Sequence, residues 1–210
     1  MRVNTAISWS VRLLKIRTTK GFISWPFAAS VVALCLMLGG AYLLMLVAAP
    51  TVVPLITMKP IDVKLLPAPA IAKNRIVIPK IGVNIAYGEG VAALDKGAEW
   101  RYPERGNPKS GGNFIIAAHR FSIQPTPQGT VEKSPFYHID KLVIGDEIVV
   151  DYQGARYGYK ISKIFDVKPN QIEIEAPSSD AKLTLYSCEL GGSEAGRIVV
   201  VATPLGQIAT

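Results

Sequence analysis

An all-β barrel or sandwich, preceded by one membrane-spanning helix, is the fold class this sequence predicts. Three observations predict it. Pro26 to Ala49 is a run of 24 residues without a charge, rich in Leu, Val and Ala. From Arg75 onward, about eight short apolar or alternating runs are separated by Gly, Pro and Asn breaks. Almost nothing in that region carries a helical period.

Residues 1–21 are basic and polar, with a short amphipathic patch from Ile7 to Ile16. The charge-free run that follows is long enough, at 1.5 Å per residue, for a helix to cross a hydrocarbon core of ~30 Å. It exceeds the ~7–15 residues of a signal-peptide core, although Ala48-Ala49-Pro50 would pass as a cleavage site. Phe22 and Trp25 stand where an aromatic belt belongs. Five basic residues precede the span and only Lys59 and Lys64 follow it closely, which puts the N-terminus in the cytoplasm and the remainder outside. Pro50, Pro54, Pro60, Pro67 and Pro69 then predict an extended, semi-rigid stalk with no useful helix. The expected divisions are a cytoplasmic segment 1–21, a transmembrane helix 22–49, an extracellular stalk 50–72 and a folded domain 73–210.

Within the domain, Arg75–Pro79 and Val83–Tyr87 are short strand signals, and Val91–Lys96 is one helical turn closed by Gly97. Trp100–Gly112 reads as loop. Asn113–Ala118 is a buried strand with His119-Arg120 at its end. Phe121–Ser134 reads as loop, and Ser134–Ile139 as a short helix opening Ser-Pro. Glu147–Tyr152 and Arg156–Val167 form a hairpin around Gly154, and Lys168–Asp180 is a connection. The last two strands are Lys182–Cys188 and Arg197–Ala202, joined by the Gly-rich segment Glu189–Gly196.

Charge narrows the function. The net +7 comes almost wholly from residues 1–72, which carry seven Lys/Arg against Asp62 alone. From Lys73 onward, 16 basic residues face 15 acidic ones. The folded domain therefore has no basic excess to engage nucleic acid. Cys35 lies in the span, so Cys188 is the single thiol of the exported domain. With two His in the chain, His119 and His138, an N/S zinc set is excluded without carboxylates. His138, in Pro135-Phe-Tyr-His, is read as structural. Two readings of Cys188 stand: a buried structural thiol, or a nucleophile. Export favours the second, because exported cysteines ordinarily pair and this one has no partner.

His119 and Cys188 both end strands, and Arg197 opens the next one. A thiol with an unperturbed pKa of ~8.5 needs a cationic neighbour to ionise, and an imidazole can protonate the leaving amine. Arg197 or the Glu189 backbone N–H is placed to hold the oxyanion.

Thr184-Leu-Tyr-Ser-Cys188 resembles the sortase signature Thr-Leu-x-Thr-Cys, with Ser187 for the second Thr. Ala118-His119-Arg120 is similar to the family's histidine segment, where Gly more often precedes His. Arg197-Ile-Val-Val resembles its last strand, and Arg75–Val83 its first strand and turn. The resemblance runs from about Arg75 to Leu205. It implies an eight-stranded sortase-type barrel with short helices, and a cysteine transpeptidase that cleaves a C-terminal sorting signal such as Leu-Pro-x-Thr-Gly. The acyl group would pass to an amine on a cell-wall precursor or a pilin. Cys188 would be nucleophile, His119 general acid/base, and Arg197 the group holding substrate backbone or oxyanion; Ser187, Thr184 and Ala118 would contact substrate. The family needs no obligatory cofactor. Some members bind calcium near the loop before the seventh strand, where this chain carries Glu173, Glu175 and Asp180. No second apolar run follows Thr203 and no Asp-Pro-Trp-like lid precedes the domain, which implies an anchoring enzyme rather than a pilin polymerase.

Overall fold

Nine strands alternate with short helical turns in the computed structural model, which describes residues 25–57 and 60–209. They are β1 (Arg75–Ile78), β2 (Val83–Glu89), β3 (Ala98–Arg101), β4 (Gly106–Asn107), β5 (Gly111–Ala117), β6 (Glu147–Tyr152), β7 (Ala155–Val167), β8 (Lys182–Glu189) and β9 (Gly192–Gln207). Their order in the sheet is β3-β2-β1-β6-β7-β9-β8-β5-β4, and β3 also pairs with β5. That last pairing closes eight strands into a barrel, with the two-residue β4 appended to β5. Most neighbours are antiparallel; β2–β3 and β5–β8 are parallel. The expected eight-stranded barrel is the observed fold.

Alternation sorts the side chains. Ile76, Ile78, Phe114, Ile116, Ile148, Val150, Leu183, Leu185, Val200 and Ala202 fill the interior. Trp100 is its largest plug, edge-on to Tyr87, Phe114 and Tyr152, with centroids 6.3, 5.7 and 5.7 Å away. Its indole N–H donates to the Gly106 carbonyl at 3.2 Å, so the polar tip is satisfied. Outside the barrel, Ile115, Ala117, Tyr186 and Val199 form a second apolar layer, covered by Leu94, Tyr102, Val167 and Ile174. The outer layer underlies the candidate site. The hairpin expected around Gly154 is the β6–β7 hairpin, where Gln153 and Gly154 both take positive φ (50° and 80°) in a twist-matched two-residue turn.

Several local expectations change. Ala98–Arg101 is a strand, not the start of a loop. A helix, α2, occupies Pro127–Glu132 rather than Ser134–Ile139; the Thr126 side chain caps it by accepting from Gly129 N–H, and Pro127 sits where no N–H is needed. The apolar helix α1 spans Trp25–Thr57, passing through Pro50 and Pro54 into the predicted stalk. Residues 1–21 lie outside the described residues. Residues up to Gly40 and from Ala41 onward form two separate units.

One of the carbonyls that the prolines leave without an intrahelical donor is satisfied within the second unit. Pro54 cannot donate to the Pro50 carbonyl, and His138 Nε2–H donates to that carbonyl instead, at 2.9 Å. His138 thus has the structural role read from the sequence. The rest of the expected stalk is not free chain either. The Pro67 carbonyl accepts from Arg75 Nη2 at 3.2 Å and from Arg156 Nη2 at 2.7 Å, and the Ile61 N–H bonds the Pro79 carbonyl.

α1 carries a stretch, Trp25–Pro54, long and apolar enough to cross a membrane. Leu36, Met37, Leu38, Leu43 and Leu44 stand exposed along it, as lipid contact requires.

Candidate active site

β5 and β8 run parallel, with partners Asn113↔Lys182 through Ala117↔Tyr186, a constant offset of 69 positions. Carried two residues past the ladder, the same offset sets His119 beside Cys188. On the other side, antiparallel β8 and β9 place Cys188 directly opposite Arg197. Strand alternation puts Cys188 on the outer face with Tyr186, and Arg197 on that face with Val199 and Val201. The three residues named from sequence therefore stand in adjacent positions on three neighbouring chain segments. All three line one open cavity of about 310 Å³, together with Leu94, Ala117, Ile172 and Ile174. A larger cavity of about 570 Å³ lies against β7 and β9 and holds none of the three. The smaller one has the chemistry.

Cys188 is a free thiol, half-buried at the mouth of this groove. The His119 carbonyl is fixed by the Phe136 N–H at 3.1 Å. Arg197 Nη1 donates to the Gly196 carbonyl at 3.0 Å, which draws the guanidinium back along its own strand.

Ser187 lines the same cavity as Cys188, and Thr184 lines the larger one, but neither hydroxyl is free to meet a substrate. Both are buried, and both hydroxyls are committed within the protein: Ser187 Oγ–H donates to the Ala118 carbonyl at 2.8 Å, and Thr184 Oγ1–H to Asn113 Oδ1 at 2.7 Å. Ser187 alternates with Leu183 and Leu185, so its side chain belongs to the inner face. Thr184 shares the face of Cys188 but lies beneath the connection between β7 and β8. Ala118 is buried as well, and its carbonyl serves as that acceptor.

Asn113 holds this connection down. Its side-chain amide donates to the Ile174 and Ala176 carbonyls at 3.0 and 2.8 Å. Asn113→Ala leaves those carbonyls and the Thr184 hydroxyl without their partner, at an expected cost of ~1–3 kcal/mol. Thermal melting should register the loss.

Sequence reasoning missed a polar floor in the groove. Arg101 Nε lies 2.7 Å from Glu175 Oε1, an ion pair without the angle of a hydrogen bond, and Nη1 lies 3.3 Å from Glu99. The Tyr186 hydroxyl donates to Glu175. Burial raises the Tyr186 phenol well above its ordinary range, with Glu175 beside it acting in the same direction, so the hydroxyl stays a donor at any physiological pH. Glu99-x-Arg101 at strand spacing was the available signal. Of the acids expected to offer calcium ligands, Glu175 is engaged by Arg101 and Tyr186 instead. Among the described residues, no group of three or more His, Cys, Asp or Glu is gathered as a metal set.

The sortase domain model matches residues 76–205, which is most of the chain and nearly the whole barrel. This chain belongs to the sortase family. It is 29% identical over 134 residues to Sortase SrtE1 of Streptomyces coelicolor, a match covering 60% of this chain and 34% of that protein. The chain thus spans about a third of the length of that relative. Among solved structures, the sortase D5 transpeptidase of Clostridium perfringens is 28% identical with a TM-score of 0.52, over 64% of this chain and 79% of that one. Sortase A of Listeria monocytogenes, 20% identical, shares the fold with a TM-score of 0.55 over 67% and 93%.

Proposed function

We propose that this sortase is a membrane-anchored cysteine transpeptidase in which Cys188 is the nucleophile, His119 the general acid/base and Arg197 the group that binds substrate backbone or oxyanion. The observation that carries the proposal is the shared 69-residue offset, which aligns His119 with Cys188 while β9 sets Arg197 opposite.

In the proposed reaction the Cys188 thiolate attacks the carbonyl carbon of the scissile amide. The resulting oxyanion is met by the Arg197 guanidinium, a planar donor that keeps its charge throughout. The C–N bond breaks, His119 delivers a proton to the departing nitrogen, and a thioester remains on Cys188. An incoming amine attacks the thioester, His119 takes its proton, and the Cys188 thiolate leaves. No step requires a metal or cofactor.

The substrate class is a C-terminal sorting signal of the Leu-Pro-x-Thr-Gly kind on a surface protein. The apolar wall of the groove (Leu94, Ile172, Ile174) suits its leading apolar residue. The sortase E1 structure from Streptomyces coelicolor holds a tripeptide in its active site. The acceptor is an amine of a cell-wall precursor or a pilin. Excess basic residues ahead of α1 support a cytoplasmic N-terminus and an extracellular barrel.

Intact-mass analysis of the full chain in detergent with a sorting-signal peptide tests the reading. Wild type should gain the mass of the acyl fragment and Cys188→Ala should not; an adduct on the variant would remove Cys188 from the role. Adding an amine nucleophile should replace free acid by amide product. An unchanged product spectrum would make the enzyme a hydrolase.

A further inference from the structure

His119 and Cys188 meet beyond the end of their ladder. Register partners of β5 and β8 stop at Ala117↔Tyr186, with one long backbone bond after it, from the Ala118 N–H to the Tyr186 carbonyl at 3.4 Å. His119 lies two residues further, ~6–7 Å along the chain at strand rise. With no ladder to hold them, twisted neighbouring strands diverge there.

Side chains tie the two ends together on both sides of the pair. One residue before it, Ser187 Oγ–H donates to the Ala118 carbonyl at 2.8 Å. One residue after it, Arg120 Nη1 donates to Glu189 Oε2 at 2.8 Å, and Nη2 lies 3.3 Å from Asp140 Oδ1. The offset of 69 holds across all three tiers: Ala118 with Ser187, His119 with Cys188, Arg120 with Glu189. The Arg120 side chain is only 7% exposed, and its buried Nε has no partner. A buried guanidinium with an unmet donor costs stability, so stability alone is a poor reason for this arrangement.

Resting on the assignment of Cys188 and His119 as the reacting pair, we propose that Arg120 and Glu189 are positioning residues. Their ion pair closes a bracket, with Ser187–Ala118 as its other arm, that fixes thiol against imidazole. Neither side chain touches substrate; they act through the segments that carry His119 and Cys188. Small displacements of a reacting group are expensive, with ~1 Å able to cost about 10²-fold in rate.

The test uses the full chain in detergent, with kcat and KM for peptide transfer, the melting temperature, and the pH dependence of iodoacetamide alkylation at Cys188. Peptide mapping separates Cys188 from Cys35. Arg120→Ala and Glu189→Ala should each lower kcat by roughly 10–100-fold while KM stays within about twofold. The double variant should be no worse than the poorer single one, and Arg120→Lys should recover part of the loss. Both Ala variants should shift the alkylation profile toward that of His119→Ala. Glu189 is partly exposed, so its variant should fold even where Arg120→Ala does not. A Glu189→Ala protein with wild-type kcat and alkylation profile overturns the bracket, as does a loss of activity that only follows the melting temperature. If His119→Ala alkylates like wild type, the pair assignment itself fails and the bracket falls with it.

Discussion

His119→Ala should slow acylation by about 10²–10⁴-fold if His119 has the proposed role, because the leaving nitrogen would then depart without a proton donor. His119 sits on a segment already anchored by its own carbonyl and by its neighbours, so the barrel should persist. Single-turnover mass analysis of the acyl adduct reads the rate, and circular dichroism confirms the fold. Arg197→Lys is the companion variant: it keeps the charge but loses the planar fork, and a drop of about 10²–10³-fold is expected if the guanidinium meets the oxyanion. Retained activity in either variant would break the assignment of that residue. Retention in both would leave the shared register of three segments without chemical meaning.

The second large effect concerns folding. Asp151 is 1% exposed and lies between two arginines. Arg156, itself 2% exposed, grips it in a fork, Nε to Oδ1 at 2.7 Å and Nη2 to Oδ2 at 3.1 Å. Arg75 reaches the same carboxylate from β1. Asp151→Ala strands a buried guanidinium and should cost ~3–5 kcal/mol, a fall in melting temperature on the order of 10 °C for a chain of this size. Arg156→Met should cost less, since Arg75 still satisfies the carboxylate and an apolar chain fills the space. A melting curve for Asp151→Ala that superimposes on wild type would show the triad to be energetically idle.

What the sequence revealed depended on how strongly each segment obeyed one period. Asn113–Ala118 is a nearly continuous apolar run followed by His119, and Leu183–Cys188 is a short β-type run closed by a Cys, so both strands and both candidates were visible. The β6–β7 hairpin was equally clear, because Gln153-Gly154 can adopt the left-handed turn. Ala98–Arg101 escaped notice since Glu99 and Trp100 are both buried on a four-residue strand, which erases its alternation. The α2 helix was hidden by Gly129 and Pro127, residues that weaken propensity although one of them suits a first turn. α1 runs through Pro50 and Pro54, and a distant histidine supplies the donor missing at Pro54, which no local rule anticipates. The hydroxyls of Ser187 and Thr184 were assigned by motif, and only the folded chain shows that each is engaged by a neighbour within the protein. The Arg120–Glu189 pair was legible in principle, since each follows a named site residue, but only the parallel pairing gives the spacing meaning.

That pairing also sets when the site comes into being. Parallel β5 and β8 are separated by 69 positions, and the β3–β5 contact is what closes the ring. Contacts of such sequence separation carry a large loop-closure entropy and form late. Arg197 comes opposite Cys188 through the local β8–β9 hairpin, whereas His119 reaches it only once β5 and β8 have paired. On the proposed assignment, the nucleophile and its acid/base are thus brought together by one of the latest contacts to form, and a nascent chain holds them apart.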